Sequence, residues 1–341
     1  MKNVRKLLLP IAWLYGFVTF IRNQCYDWGI FPSRQIKKKS ILIGNLSVGG
    51  TGKSPLVEYV VEHFLARSIK LVTLSRGYGR TTKGLIHAKQ ESTASEIGDE
   101  PRQFKSKFTS NIEVIVAEKR TVGVDYIEQS LPETELILLD DAFQHRAVKA
   151  GLQILVTPYN DLFCNDLVLP AGNLREWKRG KYRADLIVVS KCPQNLSEND
   201  KLRVKKARGF PTNSIFFSRI DDMPPIGKIQ FGTPENILIV TGIGNPQPLL
   251  EEWQDKANVE HMAFGDHHNF SSTDITRIHE KFDIFANQNK VILTTEKDYM
   301  RIERFPEVQE DIYPWYYQPI ALKMHDQQLF KAQLDGYFDQ I

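Results

Sequence analysis

The residues that could do chemistry begin at position 45. After ILIGN (41–45) comes LSVGGTGKS (46–54), where Gly49, Gly50 and Gly52 precede Lys53 and Ser54 and an amphipathic stretch follows directly. Glycines ahead of a helix start let successive backbone N–H groups close around phosphate oxygens, and the helix dipole favours the same negative charge. In such a P-loop the lysine reaches the β- and γ-phosphates as a point charge and the serine hydroxyl ligates Mg²⁺. Ser47, Val48, Gly49, Gly50, Thr51, Gly52, Lys53 and Ser54 are therefore expected to bind a nucleoside triphosphate. Ser47 stands where the usual G-x-x-x-x-G-K-[ST] pattern has glycine, but Gly49 and Gly50 remain to take positive-φ positions.

A carboxylate closing a hydrophobic strand is the second requirement, because the metal needs an organising acid. LILLD (136–140) ends in Asp140 and runs on through Asp141, Ala142, Phe143, Gln144 and His145. Neighbours in an extended chain face opposite sides, so one of the two aspartates is expected at the metal. Gln144 and His145 fall within reach of phosphate or substrate. Phosphoryl transfer to an alcohol also needs a proton acceptor. Asp99 in IGDEP (97–101), expected in a loop, is one candidate; the other is Asp266-His267-His268, with Asp266 orienting the His267 imidazole. Taken alone, GDEP reads equally as a plain turn, and the Asp-His-His run as a metal site without a matching ligand set elsewhere. Three further polar segments stand out. SRGYGR (75–80) suits an anionic headgroup through Arg76, Tyr78 and Arg80, with a purely structural loop as the alternative. LPAGNLRE (169–176) presents Arg175 and Glu176 after a proline–glycine turn, and TTEKD (294–298) either contacts nucleotide or caps a helix.

These groups need a scaffold. Apolar runs at 40–45, 70–75, 112–117, 136–140, 152–157 and 186–190, with helical stretches at 53–67 and 119–130, predict a mostly parallel sheet covered on both faces. A second set of strands is expected at 214–218, 237–241, 258–264, 290–295 and 312–321, with helices at 246–253 and 272–285. Pro224, Pro225 and Pro234 mark a connector. The predicted organisation is a leader (1–39), a P-loop core (40–220), a connector (221–236) and a smaller α/β lobe closing the cleft (237–341).

Composition supports an ordinary globular chain of 341 residues, 42% hydrophobic and 25% charged, which excludes disorder and a polytopic membrane protein. Three scattered cysteines without CxxC exclude a disulfide scaffold or zinc ribbon. The net charge of +3 is too small to argue for nucleic acid, and it hides an asymmetry. The first forty residues carry +7 and the remainder −4. Residues 7–21 (LLLPIAWLYGFVTFI) would make a helix of about 22 Å, short of the roughly 30 Å hydrocarbon core. With Trp13, Tyr15, Phe17, Phe20, Trp28 and flanking cations, the leader reads as an interfacial membrane helix; packing on the protein's own body, a cleaved secretory signal and a true span are the alternatives.

In order, GNLSVGGTGKSP, SRGYGR, GDEP, DDAFQHR, LPAGNLRE, TGIGNP, DHHNFS and TTEKD closely resemble the tetraacyldisaccharide 4′-kinase family, the lipid A 4′-kinases, from the leader to about residue 300. The resemblance implies ATP- and Mg²⁺-dependent phosphorylation of the 4′-hydroxyl of a tetraacylated glucosamine disaccharide. It also implies a monotopic protein at the cytoplasmic face of the inner membrane of a Gram-negative-type bacterium, with no obligatory protein partner. It implies that Asp99 is the catalytic base working with His267, and that Lys53 and Ser54 handle phosphate and Mg²⁺. Asp140, Asp141, Gln144 and Glu176 are implied as further metal-site groups, and Asn45, Arg76, Tyr78 and His145 as substrate contacts. Ser47 and Ser54 replace the family's usual threonines. Ala142 replaces a glycine, and Asn173 replaces a proline, which is expected to loosen the loop presenting Glu176.

A P-loop GTPase or metal-chaperone ATPase is the main rival reading. Guanine recognition wants an aspartate that Ser190-Lys191-Cys192-Pro193 lacks, and hydrolysis needs no apolar leader. A nucleotide-gated membrane tether would leave Asp99 and His267 without purpose.

Overall fold

The computed structural model describes residues 5–206, 215–228, 230–285, 289–310 and 312–340. Lys2 of the basic leader, the first residue of the expected strand 214–218 and residue 229 of the expected connector lie outside them. A leader helix α1 (Leu9–Asp27) precedes β1 (Lys39–Asn45), α2 (Lys53–Leu65), β2 (Leu71–Ser75), α3 (Asp99–Phe108), β3 (Glu113–Val116) and α4 (Arg120–Ser130). There follow β4 (Leu136–Asp140), β5 (Leu152–Pro158), β6 (Leu186–Ser190) and β7 (Ile215–Asp222). The second lobe holds β8 (Asn236–Thr241), α5 (Gln247–Gln254), β9 (Asn258–Ala263), α6 (Ser272–Asp283), β10 (Lys290–Thr295), α7 (Glu296–Ile302) and β11 (Trp315–Gln318). The chain ends in β12 (Ile320–Met324) and α8 (Gln327–Phe338).

Among the described residues the larger sheet has nine strands in the order β12-β7-β6-β5-β1-β4-β2-β3 and a short strand at Ile86–His87. β1 lies at its centre, parallel to β4 and β5, with Ile41 opposite Leu138 and Leu152. Alternation explains both cores. Ile41 and Ile43 face α2, α3 and α8 with Val57, Phe64, Phe104 and Phe330, while Leu42 joins Leu74, Leu139, Phe143 and the leader's Ala12 on the other face. The smaller sheet is parallel through β9-β8-β10-β11, and Ile226–Gly227 pairs antiparallel to β11.

The expected domain boundaries shift. Asp221 and Asp222 continue β7, and the expected single strand 312–321 is two: β11 belongs to the small sheet, whereas β12 returns to pair antiparallel with β7. The C-terminal α8 then buries Phe330 and Leu334 in the core under the P-loop helix, so the chain's end belongs to the first lobe. Apolar burial is joined there by polar ties, His63 and Arg67 of α2 to Asp335 and the Tyr337 hydroxyl to the Ser40 backbone, and the sheet partner was not visible from local pattern. The leader helix is longer than expected, running past Arg22 to Asp27. Only Ala12 and Gly16 of α1 are buried, while Trp13, Leu14, Phe17 and Val18 face outward. Among the described residues no helix is long and apolar enough to cross a membrane.

Candidate active site

The phosphate loop forms where β1 ends. Gly49 and Gly52 take φ values of 96° and 84°, a region that costs a side-chain-bearing residue strain, so glycine is required for the turn. A Cβ on Gly52 would also lie 3.2 Å from Ser190. Neighbouring polar groups fix the loop. Asn45 Nδ2 donates to Thr51 Oγ1 at 2.8 Å, Ser190 Oγ to the Thr51 carbonyl at 2.6 Å, and Lys191 Nζ to the Gly50 carbonyl at 2.7 Å. Asn45, expected at substrate, thus serves the loop; its carbonyl also accepts from Gln144 Nε2 at 2.8 Å. The segment after β6, which lacks the guanine-reading aspartate, braces the loop instead. Lys53 is buried at the first turn of α2, 3.7 Å from Asp141, which Arg175 holds at 3.0 Å through both carboxylate oxygens.

Asp99 does not lie in a loop. It opens α3 behind Gly98, whose φ of 96° makes the abrupt entry; acids and a proline in the first turn all suit a helix start. This start brings two functional groups together. Asp99 Oδ2 meets His267 Nδ1 at 3.1 Å and accepts from Arg301 Nη2, while the adjacent Glu100 accepts from Ser54 Oγ at 2.7 Å and from Lys297 Nζ at 3.1 Å. Crowding by protein pushes the Glu100 carboxyl up, but Lys297, Lys53 and the Ser54 hydroxyl outweigh it and hold it well below the usual carboxylate range. Asp140, fully enclosed at the end of β4, moves the other way. Burial, with Glu100 and Asp141 close by, pushes its carboxyl up against the pull of Lys53 and Arg120. Its Oδ1 is buried without a hydrogen-bond partner among the described residues.

Asp140 and Asp141 do not alternate as neighbours on an extended strand would. The strand stops at Asp140 and Asp141 turns left-handed (φ 45°), so both project toward Lys53's side of the sheet. His267 also has positive φ (57°), and such outliers concentrate where structure is set by function. His267 pairs with Asp99, not with Asp266 as expected; Asp266 is exposed beside Gly244. His268 instead meets Asp274, which completes the capping box of α6. Tyr78 packs its ring edge on His267 at 5.4 Å, and exposed Arg76 lies close enough to depress His145 and Arg120.

Three expected site residues are committed elsewhere. Glu176 is buried, with Arg183 donating at 2.7 and 2.9 Å, Asn23 at 2.7 Å and Gln144 at 3.1 Å, so its lone pairs are taken and it is not placed as a metal ligand. Gln144 spends its amide N–H groups on Asn45 and Glu176. His145 Nε2 accepts from the Arg120 N–H at 3.2 Å, at the start of α4; burial, then Arg120, Arg22 and Arg76, bring its ring down to about 4, leaving it neutral near pH 7. Sequence reasoning missed Arg301, Lys297 and Glu100 as site groups. TTEKD does cap α7 through Thr295, and the same turn sends Lys297 and, one turn on, Arg301 into the cleft.

A phosphate loop facing an acid–imidazole–guanidinium cluster across two α/β lobes defines the P-loop phosphotransferase class. Comparison with known proteins narrows this. The family model described as tetraacyldisaccharide-1-P 4′-kinase matches residues 4–339, and the chain belongs to that family of kinases. The tetraacyldisaccharide 4′-kinase of Bacteroides thetaiotaomicron is 39% identical over 357 residues, 98% of this chain and 93% of its own length. The enzyme of the same name from Flavobacterium johnsoniae is 41% identical, spanning 100% and 99%. Among solved structures, LpxK from Aquifex aeolicus in complex with ATP superimposes with a TM-score of 0.76 at 25% identity, covering 98% of this chain and 99% of that one.

Proposed function

We propose that this kinase transfers the γ-phosphoryl group of ATP to the 4′-hydroxyl of a tetraacylated glucosamine disaccharide 1-phosphate at a membrane surface. One juxtaposition carries the reading: consecutive residues at the start of α3 serve both substrates, Asp99 through His267 and Arg301, and Glu100 through the Ser54 hydroxyl of the phosphate loop.

The backbone N–H groups of the loop and Lys53 receive the phosphates, and the helix dipole of α2 adds to the attraction. Asp99 takes the proton of the acceptor hydroxyl. Its Oδ2 is occupied by His267 and Arg301, and among the described residues Oδ1 has no hydrogen-bond partner, which leaves it for the acceptor. Arg301 keeps the carboxylate in place, itself braced by Asp298 at 2.8 Å and the Gly242 carbonyl at 3.1 Å. His267 orients Asp99 and lies 3.1 Å from Arg301, so its ring nitrogen bonds one or the other according to its tautomer.

The donors near Ser54 are hard oxygens: its hydroxyl, Glu100, and the unpartnered Oδ1 of Asp140. No trio of His, Cys, Asp or Glu among the described residues forms a complete metal cage, which suits Mg²⁺, an ion that keeps water and phosphate ligands. Ser54, Asp140 and Glu100 would hold Mg²⁺, which when bound neutralises charge developing on the transferring phosphoryl group.

For the acyl chains, an apolar groove of about 880 Å³ runs between α1 and residues 166–179, lined by Trp13, Phe17, Phe20, Leu167, Leu174 and Trp177. Lys178 and Arg179 also line it and outnumber Asp166 in charge, which suits an anionic headgroup. The exposed apolar face of α1 would rest on the cytoplasmic leaflet of the inner membrane. Deleting residues 1–24 should release the protein from anionic vesicles in a flotation assay, and retention would place the membrane contact elsewhere. The reaction itself is tested with γ-labelled ATP–Mg²⁺ and detergent-dispersed disaccharide acceptor. Label should move to the lipid and not to its 4′-deoxy analogue; label appearing only as free phosphate would refute the reading.

A further inference from the structure

Arg5 and the first half of the leader helix bond to one segment of the body. Arg5 donates from Nη1 to Asn173 Oδ1 at 2.9 Å, from Nε to the Pro170 carbonyl at 3.0 Å, and from Nη2 to the Gly172 carbonyl. Further along, the Tyr15 hydroxyl donates to the Arg175 carbonyl at 2.8 Å, and Trp177 Nε1 donates to the Gly16 carbonyl at 2.6 Å. The opposite edge of this segment lies on the phosphate loop. The Val48 N–H donates to the Asn173 carbonyl at 2.8 Å, the Arg175 N–H donates to the Leu46 carbonyl at 2.7 Å, and Ser47 bridges Leu174. Residues 170–177 therefore form a strap between leader and loop.

Asn173 is where the two edges cross. Its side-chain oxygen accepts from Arg5, its carbonyl accepts from Val48, and its N–H donates to Asp166 Oδ2 at 3.1 Å. The expected loosening on replacing proline with asparagine is thus reversed, since proline has neither the amide oxygen nor the N–H. The loop needs such support. Val48 has its side chain exposed, and a Cβ built on Gly49 would meet nothing within 4 Å, so packing does little to hold residues 48–49. Loop amides bind phosphate well only when they are already pointed at it.

We infer that Arg5 and Asn173 are positioning residues for the nucleotide. The leader, acting through Arg5, Asn173 and Val48, presets the phosphate loop, so that triphosphate affinity depends on the leader even with no lipid present. The inference rests on the reading of residues 46–54 as the ATP loop.

The test is calorimetric titration of the full-length protein in nonionic micelles with ATP–Mg²⁺, with no acceptor added. Arg5→Ala should weaken binding about three- to tenfold, the net worth of one ordinary hydrogen bond, and Arg5→Lys should recover part of the loss. Asn173→Ala, which keeps both backbone groups, should weaken binding similarly, and the double variant should be no weaker than Arg5→Ala alone. Wild-type affinity in Arg5→Ala, or fully additive losses in the double variant, would overturn the inference. Failure of the unaltered protein to bind ATP–Mg²⁺ would overturn the ATP-loop reading beneath it, which separates the two failures.

Discussion

On the proposed reading of the site, the two sides of the cleft hold their reacting groups by different means. On the nucleotide side, backbone does the positioning: two left-handed glycines, carbonyls gripped by Ser190 and Lys191, and one lysine at a helix start. On the acceptor side, a seam of charged and polar side chains between α3 and α7 does it. Arg301 meets Asp99, Glu296 meets Gln103 at 3.0 Å, and Glu303 meets Arg102 at 2.6 Å, while Lys297 reaches across at 3.1 Å to Glu100, which faces the phosphate loop. Phosphate recognition repeats one geometry and suits a rigid backbone nest, whereas proton acceptance depends on where charge sits. Substitutions on the two sides should therefore fail differently.

Lys53→Ala should have the largest effect, lowering phosphoryl transfer by about 10³-fold or more, because Lys53 is the buried cation at the head of the loop and the start of α2. Rapid-quench assays would check this, and an active variant would contradict the phosphate-loop assignment. Arg301→Met tests the seam. Removing the guanidinium leaves Asp99 held by His267 alone and fully buried Asp298 without its counter-charge, so kcat should fall about 10- to 100-fold with ATP KM nearly unchanged, alongside about 3–5 kcal/mol of lost stability. A rise in ATP KM instead would mean the seam serves the nucleotide.

The smallest expected effect concerns the base of the seam. Gln103 Nε2 donates both to Glu58 on α2 and to Glu296 on α7, and Lys107 holds Glu58 at 2.6 Å. Burial, then repulsion from Glu58, pushes Glu296 up to about 7, with Lys107 opposing. An acid whose folded value is raised binds its proton more tightly when folded, so its stabilising share is present below about 4.5 and is lost as pH rises through about 7. Glu296→Gln mimics the protonated form, so its melting temperature relative to the unaltered protein should rise between pH 5 and pH 8 (about 1–5 °C). A pH-independent difference would remove Glu296 from the account.

How much of this was legible in sequence follows from the same contrast. The nucleotide side is written in consecutive residues, so Gly49, Gly52, Lys53 and Ser54 could be read together, and the strand ending at Asp140 was visible as an apolar run closed by acid. The acceptor side is assembled across 168 residues from Asp99 to His267 and 202 from Asp99 to Arg301, and only the family resemblance joined the first pair. Local reasoning paired His267 with its chain neighbour Asp266, since adjacency was all it had. Arg301 drew no reading from sequence; the signal available was its spacing of four from Lys297 behind a Thr cap, which puts both on one face. Glu176 and Gln144 entered as metal-site groups only through the family resemblance, and the structure shows Arg183 and Asn23 occupying Glu176 while Gln144 bonds Asn45 and Glu176. The return of β12 and α8 to the first lobe was hidden for a related reason, because an apolar strand does not announce its partner.

The central claim is that Asp99 accepts the proton while the nucleotide side acts independently of it. The most direct measurement is single-turnover transfer from ATP–Mg²⁺ to the disaccharide by Asp99→Asn, with ATP affinity titrated in parallel. Transfer should fall by about 10²- to 10⁴-fold while ATP affinity stays within about twofold of the unaltered protein. Transfer at the unaltered rate, or a loss explained by weakened ATP binding, would contradict it.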